Sequence, residues 1–137
     1  MTTNRVIYQD ALEKIGVLEE GGTASSAQDT TGLNELNRMM NEWRIRDIDL
    51  NWFTQDTAAD TAPLPNWAES GVIANLAVRL ASEYRVPVTP ALADAANTGL
   101  QAIKTVLINV ELEEGQDMSH MNQGLGIRSR YDIVNDV

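Results

Sequence analysis

Apolar residues recur every three or four positions in four stretches of the chain, and each stretch predicts an amphipathic helix. The first is expected from Thr3 to Gly16, with Thr2 or Thr3 as its N-cap. The second begins at Ser25 or Ser26, since Ser25 and Gln28 have the spacing of a capping box. The predicted buried faces are Ile7, Ala11, Leu12, Ile15 and Leu18 in the first helix and Leu33, Leu36, Met40 and Trp43 in the second.

The third and fourth helices flank a short turn. The third begins near Asn66, which is able to cap it, and stops at Pro87. The fourth begins with Thr89 as cap and Pro90 in its first turn. Because the turn is short, the two helices should pack antiparallel. Their predicted buried faces are Ile73, Leu76, Ala77, Leu80, Ala81 and Tyr84 in the third helix and Leu92, Ala96, Leu100, Ile103, Leu107 and Val110 in the fourth.

The segment between the second and third helices has a different period. In residues 47–62, the apolar residues Ile48, Leu50 and Trp52 alternate with polar ones, which predicts a short strand or hairpin that leaves the helical body. Trp52 and its neighbour Phe53 are interpreted as aromatic residues buried under the second or third helix. The alternative is a contact with another subunit.

The last stretch, Glu111 to Val137, follows neither period until the sequence GIRSRYDIV, and such a segment orders only by docking on a surface. Arg128 and Arg130 either balance nearby acids or face an acidic neighbour while the apolar residues anchor the segment. The chain is thus predicted to be mainly α, with a helical domain at 1–110 and an extended C-terminal docking arm at 111–137. The expected interface residues of the arm are Leu125, Ile127, Arg128, Arg130, Tyr131, Ile133 and Val134.

Composition and charge restrict the number of domains and the classes of binding partner. The 137 residues suit one domain plus an arm, and the absence of cysteine excludes disulfides and thiolate sites. A formal net charge of −10 disfavours a nucleic-acid binder, whose affinity comes mainly from Lys and Arg. It suits plain solubility, or a surface past which DNA slides without sticking. Neither a signal peptide nor a membrane span is expected.

Candidate catalytic residues are few. Carboxylate pairs such as Asp10 with Glu13 are expected on a solvated surface without any function, because the chain has twenty acids. The single histidine, His120, is interpreted as a solvated linker residue without a metal or nucleophile partner. Gly124 and Gly126 precede no Lys-Ser or Lys-Thr pair, as a phosphate loop requires. No cofactor and no metal are predicted.

Three segments together resemble a known family. They are DALEKIGVLEEG, SSAQDTTGLNELNRMMNEW and VIANLAVRLASEYRVPVTPAL, and the GIRSRYDI tail closes the series. In this order they are similar to the head-to-tail adaptor, or tail accessory factor, family of short-tailed bacteriophages. The strongest parts are Ala11–Val17, Leu36–Trp43 and Asn75–Tyr84.

The resemblance implies a fold and an assembly. The fold is an antiparallel four-helix bundle with a short β-like excursion between helices 2 and 3 and an extended C-terminal arm. The assembly is a ring of twelve subunits beneath the portal protein, which extends the DNA channel, retains packaged DNA and offers a platform to the tail nozzle. The protein would then act in the virion, at the head-tail junction, after assembly in the host cytoplasm.

Two other classes stay open. A cell-wall hydrolase of glycosidase type would need two carboxylates that face one cleft. A small helical regulatory module would need a basic groove, and the second helix offers only Arg38, Arg44 and Arg46 among acids.

Overall fold

The chain is mainly helical. The computed structural model describes the backbone of residues 2–124 and the side chains of residues 2–110. Within this described part there is no strand, and β pairing is limited to one isolated antiparallel bridge between Thr3 and Thr61. The four helices, as predicted in number and order, are α1 (Asn4–Lys14), α2 (Ser26–Ile45), α3 (Asn66–Glu83) and α4 (Pro90–Gly124).

Side-chain caps begin three of the helices. Thr3 is the N-cap of α1, and Ser25 forms the predicted capping box of α2 with Gln28. The Thr89 hydroxyl accepts a hydrogen bond from the backbone N–H of Leu92 at 3.2 Å, as expected for the cap of α4. Helix α3 differs, because its N-cap is Pro65 and no side chain caps it. The prediction that Asn66 caps α3 is therefore wrong, since Asn66 is already the first helical residue.

Helices α1, α2 and α3 end in the same way. One residue after each C-cap takes a left-handed conformation: Gly16 with φ 79°, Asp47 with φ 65° and Arg85 with φ 58°. The next N–H then returns to a carbonyl of the last turn, which is a Schellman motif. Helix α3 thus ends at Glu83, before Pro87 is reached. The returning bonds join Val17 to Leu12, Ile48 to Trp43 and Val86 to Ala81 at 3.0, 2.9 and 2.8 Å.

The core lies where α1, α2 and α3 pack against one another in pairs. Most core positions predicted for the first three helices are buried, and the four that are only half-buried are Leu18, Leu33, Ile73 and Tyr84. Of the face predicted for α4, only Ala96 and Ile103 are buried. The remaining residues of that face are half-buried (Leu92, Leu100 and Leu107) or exposed (Val110), so this part of the prediction is wrong. Tyr8 and Met39 are fully buried although the predicted faces omit them. The largest fully buried apolar side chains of these helices are Ile7, Tyr8, Leu12, Leu36, Met39, Met40, Val72, Leu76 and Leu80.

Helix α4 approaches α3 at two glycines. A Cβ atom built on Gly99 would lie 2.6 Å from the Cα of Gly71, so only glycine allows this approach. One turn further along α3, the Asn75 amide donates to the carbonyls of Gly71 and Ala96 at 2.8 and 2.9 Å. Residue numbers rise along α3 as they fall along α4, which confirms the antiparallel packing.

The segment between α2 and α3, residues 46–65 and hereafter the α2–α3 loop, is not a strand. Burial does alternate along the loop as the sequence predicts, since Ile48, Leu50 and Trp52 are buried while Asp49 and Asn51 are exposed. Asp47 and Asn51, however, have φ of 65° and 60°, and left-handed residues interrupt an extended run. The prediction of a short strand or hairpin is therefore wrong.

The C-terminal part also differs from prediction. Helix α4 continues to Gly124, so residues 111–124 are helical where the sequence predicts an extended arm. Residues 111–124 contain three Glu, two Gln and two Met, which are good helix formers, and their propensity outweighs the lost apolar period. By contacts, the chain forms two compact units, Met1–Lys104 and Thr105–Val137. In the described part, none of the helices is long and apolar enough to span a bilayer.

Candidate interaction site

A groove of about 620 Å³ lies between α1 and α3. Four carboxylates and one ammonium line it, together with the half-buried side chain of Ile73. Asp10 and Glu13 share one face of α1 because they are three residues apart. The remaining lining residues are Lys14, Glu20, Asn66, Glu69 and Ser70.

Local hydrogen bonds hold two of these carboxylates in place. The backbone N–H of Gly21 donates to Glu13 Oε2 at 3.3 Å, and the Thr2 hydroxyl donates to Glu69 Oε1 at 2.9 Å. Burial raises the pKa of Asp10 above its ordinary value, and the negative charge of Glu13 raises it further. The groove therefore favours a proton or another cationic or hydrogen-bonding group beside Asp10.

The groove holds no cluster of metal ligands, and the same is true of the rest of the described residues. Its chemistry is that of carboxylates beside an apolar wall, which suits hydrogen-bond donors such as sugar hydroxyls or basic side chains. Sequence reasoning placed Asp10 and Glu13 on solvated surface. Their spacing of three residues indicated that both carboxylates lie on one face of α1. The contribution of Glu69 depends on how α3 packs against α1, and sequence spacing does not predict it.

A second feature is a set of polar side chains that hold the α2–α3 loop. The Asn37 side chain of α2 makes three bonds to it: Oδ1 accepts from Trp52 Nε1 at 3.1 Å and from Gln55 N at 2.9 Å, and Nδ2 donates to Gln55 O at 2.9 Å. Arg44 donates to the carbonyl of Trp52. The loop is therefore fixed to α2 by side chains instead of a β ladder.

The same loop is also bound to the start of α1. The Asn4 amide, which is fully buried, donates to Gln55 Oε1 at 3.0 Å and to the carbonyl of Thr57 at 2.9 Å. The backbone N–H groups of Asn4 and Arg5 donate to the carbonyls of Asp60 and Ala58, each at 2.9 Å. The loop thus satisfies two of the orphan donors in the first turn of α1, and the Thr3 hydroxyl accepts from a third, the N–H of Val6.

Trp52 and Phe53 have opposite environments in this loop. Trp52 is 2% exposed, which confirms its predicted burial, and its ring nitrogen is bound to Asn37 of α2. Phe53 is 64% exposed, so its predicted burial is wrong. Only one of these two adjacent rings therefore reaches the core.

Ion pairs connect the helices elsewhere. Arg79 of α3 pairs with Glu42 at 2.9 Å and with Glu35, which is almost fully buried, at 3.4 Å. Tyr8 of α1 donates to Asp29 of α2 at 2.5 Å, and burial followed by this hydrogen bond raises the pKa of Tyr8 to about 12. These contacts fix the helix packing that shapes the groove and the loop.

The interface residues predicted from sequence lie outside the described part of the chain. They are Leu125, Ile127, Arg128, Arg130, Tyr131, Ile133 and Val134, and their docking stays a prediction. His120, predicted to lie in a linker, belongs to helix α4, which corrects that interpretation.

The chain was compared with known proteins. A search of the curated proteins finds no match. A family model described as the P22 tail accessory factor matches residues 1–136. This match spans the groove, the α2–α3 loop and all four helices, and it supports a structural role in the virion and contacts with other virion proteins. The chain therefore belongs to the P22 tail accessory factor family.

Proposed function

We propose that this protein is the head-to-tail adaptor of a short-tailed bacteriophage. Copies of the chain form a ring, with twelve subunits as the expected number, beneath the portal protein at the head-tail junction. The ring extends the DNA channel, retains the packaged genome and presents a platform to the tail nozzle. The observation that carries this proposal is the family match over residues 1–136.

The charge of the chain is compatible with such a channel. A formal net charge of −10 per subunit, repeated around a ring, gives a surface that repels the phosphate backbone. Genomic DNA then passes without being held, since attachment requires Lys and Arg that neutralise phosphates. The subunits act as a channel wall and need no cofactor for that role.

Repetition supplies the strength of the junction. Each subunit contacts two ring neighbours and the portal, and a closed ring multiplies weak contacts into a strong attachment. The C-terminal residues 125–137 are proposed to dock on the portal or on a neighbouring subunit through the seven residues named above. Ordering of a segment on docking costs free energy, which keeps free subunits monomeric until the portal gathers them.

The experiment is a mass measurement by light scattering, with and without a portal ring. The intact chain is compared with a chain that ends at Gly124, because α4 runs to that residue and a shorter truncation would cut the helix. The intact chain should be monomeric alone and join the portal. The truncated chain should stay folded by circular dichroism and fail to join. Rings of the intact chain without portal, or full attachment of the truncated chain, would contradict the proposal.

A second candidate function is peptidoglycan hydrolysis, and the groove between α1 and α3 favours it. A general acid of glycosidase type needs a raised pKa, and Asp10 has one beside the carboxylate of Glu13. The test is clearing of purified cell walls by the intact chain, by Asp10→Asn and by Glu13→Gln. Activity that each amide variant abolishes would support hydrolysis, and equal clearing by all three proteins would rule out these residues.

A further inference from the structure

The α2–α3 loop displays the only phenylalanine of the chain on the surface of the protein. Phe53 is 64% exposed, while its neighbours Trp52 and Gln55 are 2% and 5% exposed. Burial of an exposed aromatic ring against a partner removes apolar surface from water and so favours association. Aromatic residues of this kind are frequent energetic centres of protein interfaces.

The backbone that carries Phe53 is held on both sides of the ring. The carbonyl of Trp52 accepts from Arg44, and the carbonyl of Phe53 accepts from Gln55 Nε2 at 2.9 Å. Both backbone groups of Gln55 are bound to Asn37. A loop fixed in this way has little conformational entropy left to lose on binding, so the ring is preorganised for a partner.

The charges around the ring define the chemistry of that partner. The α2–α3 loop contains four aspartates and one arginine, Arg46, so its net charge is negative, and Arg44 of α2 is bound to the Trp52 carbonyl. Asp49 and Asp56, which lie on either side of Phe53 in sequence, are both exposed. A complementary partner therefore combines apolar or aromatic side chains with arginine or lysine.

One segment of this chain has that composition. The stretch Ile127–Ile133 contains Arg128, Arg130 and Tyr131 and lies beyond the described residues. The thirteen residues after Gly124 span at most about 43 to 47 Å when fully extended.

We propose that Phe53 and its flanking aspartates form the docking site for the C-terminal segment 125–137 of a second copy of this chain. Tyr131 and the isoleucines cover the Phe53 ring, and Arg128 and Arg130 pair with Asp49 and Asp56. This inference rests on the proposed ring and names the surface on which the arm is held. Each subunit then gives an arm to one neighbour and receives one from the other, which is a head-to-tail contact that closes a ring.

The test is photo-crosslinking from position 53 in the portal-bound assembly. Phe53 is replaced by benzoylphenylalanine, copies of light and heavy isotopic composition are mixed, and linked peptides are identified by mass spectrometry. The expected product joins position 53 to a peptide within 125–137 of the other isotopic form. Benzoylphenylalanine at Trp67, which is 47% exposed on α3, is the matched control and should not give this product.

The other outcomes are separable. Attachment to the portal, measured by light scattering on the same sample, reports on the ring itself. A ring whose position 53 links to another protein, to another segment or only to its own chain overturns this inference and leaves the adaptor proposal intact. Failure to attach to the portal in the unmodified chain overturns both.

A variant tests the energetic role of the ring. Phe53→Ala should weaken association of subunits on the portal by at least about tenfold, since an interface centre loses its aromatic side chain. Its melting temperature should be unchanged because the ring is mostly exposed. The double variant Asp49→Asn and Asp56→Asn should lower the salt dependence of association, whereas Asp94→Asn, exposed on α4, should not. Unchanged association of Phe53→Ala would contradict the proposal.

Discussion

Replacing Asn37 by alanine removes three hydrogen bonds that hold the α2–α3 loop on helix α2. The bonds run to Trp52 Nε1 and to both backbone groups of Gln55, at 2.9 to 3.1 Å. Each contributes about 1 kcal/mol net, and the partners that lose them lie in residues only 2% and 5% exposed. The free energy of unfolding should therefore fall by about 3 kcal/mol.

A matched control corrects for the change in helix propensity. Asn34 lies on the same helix and is exposed, so Asn34→Ala gains the same preference for helix without disturbing the loop. Urea unfolding of both variants, followed by circular dichroism, gives the difference directly. Hydrogen exchange should also become faster at Gln55 in Asn37→Ala alone. If the two variants are equally stable, the loop is not held by Asn37 and the rigid presentation of Phe53 is wrong.

Three further perturbations test the packing and the electrostatics. Gly99→Ala should lower the free energy of unfolding by about 1 to 3 kcal/mol, because the new Cβ would lie 2.6 Å from the backbone of α3. Asn97, which is exposed on the same helix, provides the control, and Asn97→Ala should not lower the stability measured by thermal unfolding. Tyr8 has a folded-state pKa of about 12 against 10.0 unfolded, so stability should decrease as the pH rises from 10 to 12. Tyr8→Phe should reduce that decrease, and an equal slope in both proteins would contradict the burial of the hydroxyl. Because the pKa of Asp10 is raised, its ionised form destabilises the folded state at neutral pH. Asp10→Asn should therefore raise the melting temperature at neutral pH. A lower melting temperature of this variant would show that the charge of Asp10 is stabilising.

The helices were largely predictable because their signals are local. The capping box at Ser25 and the start of α4 at Thr89 and Pro90 each depend on residues within one turn of each other. The structure contains both features. The apolar period likewise predicted Ile7, Leu36 and Leu80 as core residues. Such features need no knowledge of the tertiary fold.

The α2–α3 loop was not predictable in the same way. Its alternation of apolar and polar residues is the pattern of a strand, but its backbone partners are the side chains of Asn37, Arg44 and Asn4. These residues lie between 8 and 53 positions away from their partners in sequence. Only the packing of α1 against α2 brings them to one place, and that packing also decides that Trp52 is buried and Phe53 is not.

The groove has the same origin. Asp10 and Glu13 were visible as a pair, but Glu69 comes from α3 and Glu20 from the loop after α1. The pKa of Asp10 depends on burial between two helices, which a sequence does not give. Helix propensity was underestimated after Val110, where the acidic stretch continues α4 to Gly124.

The most direct test of the adaptor proposal is electron microscopy of the chain mixed with its portal ring. End-on averages should show an added layer, coaxial with the portal and with its rotational symmetry, around an open channel. Twelve copies per ring are expected. An unchanged portal at saturating protein concentration, or copies attached without a common axis, would contradict the proposed function.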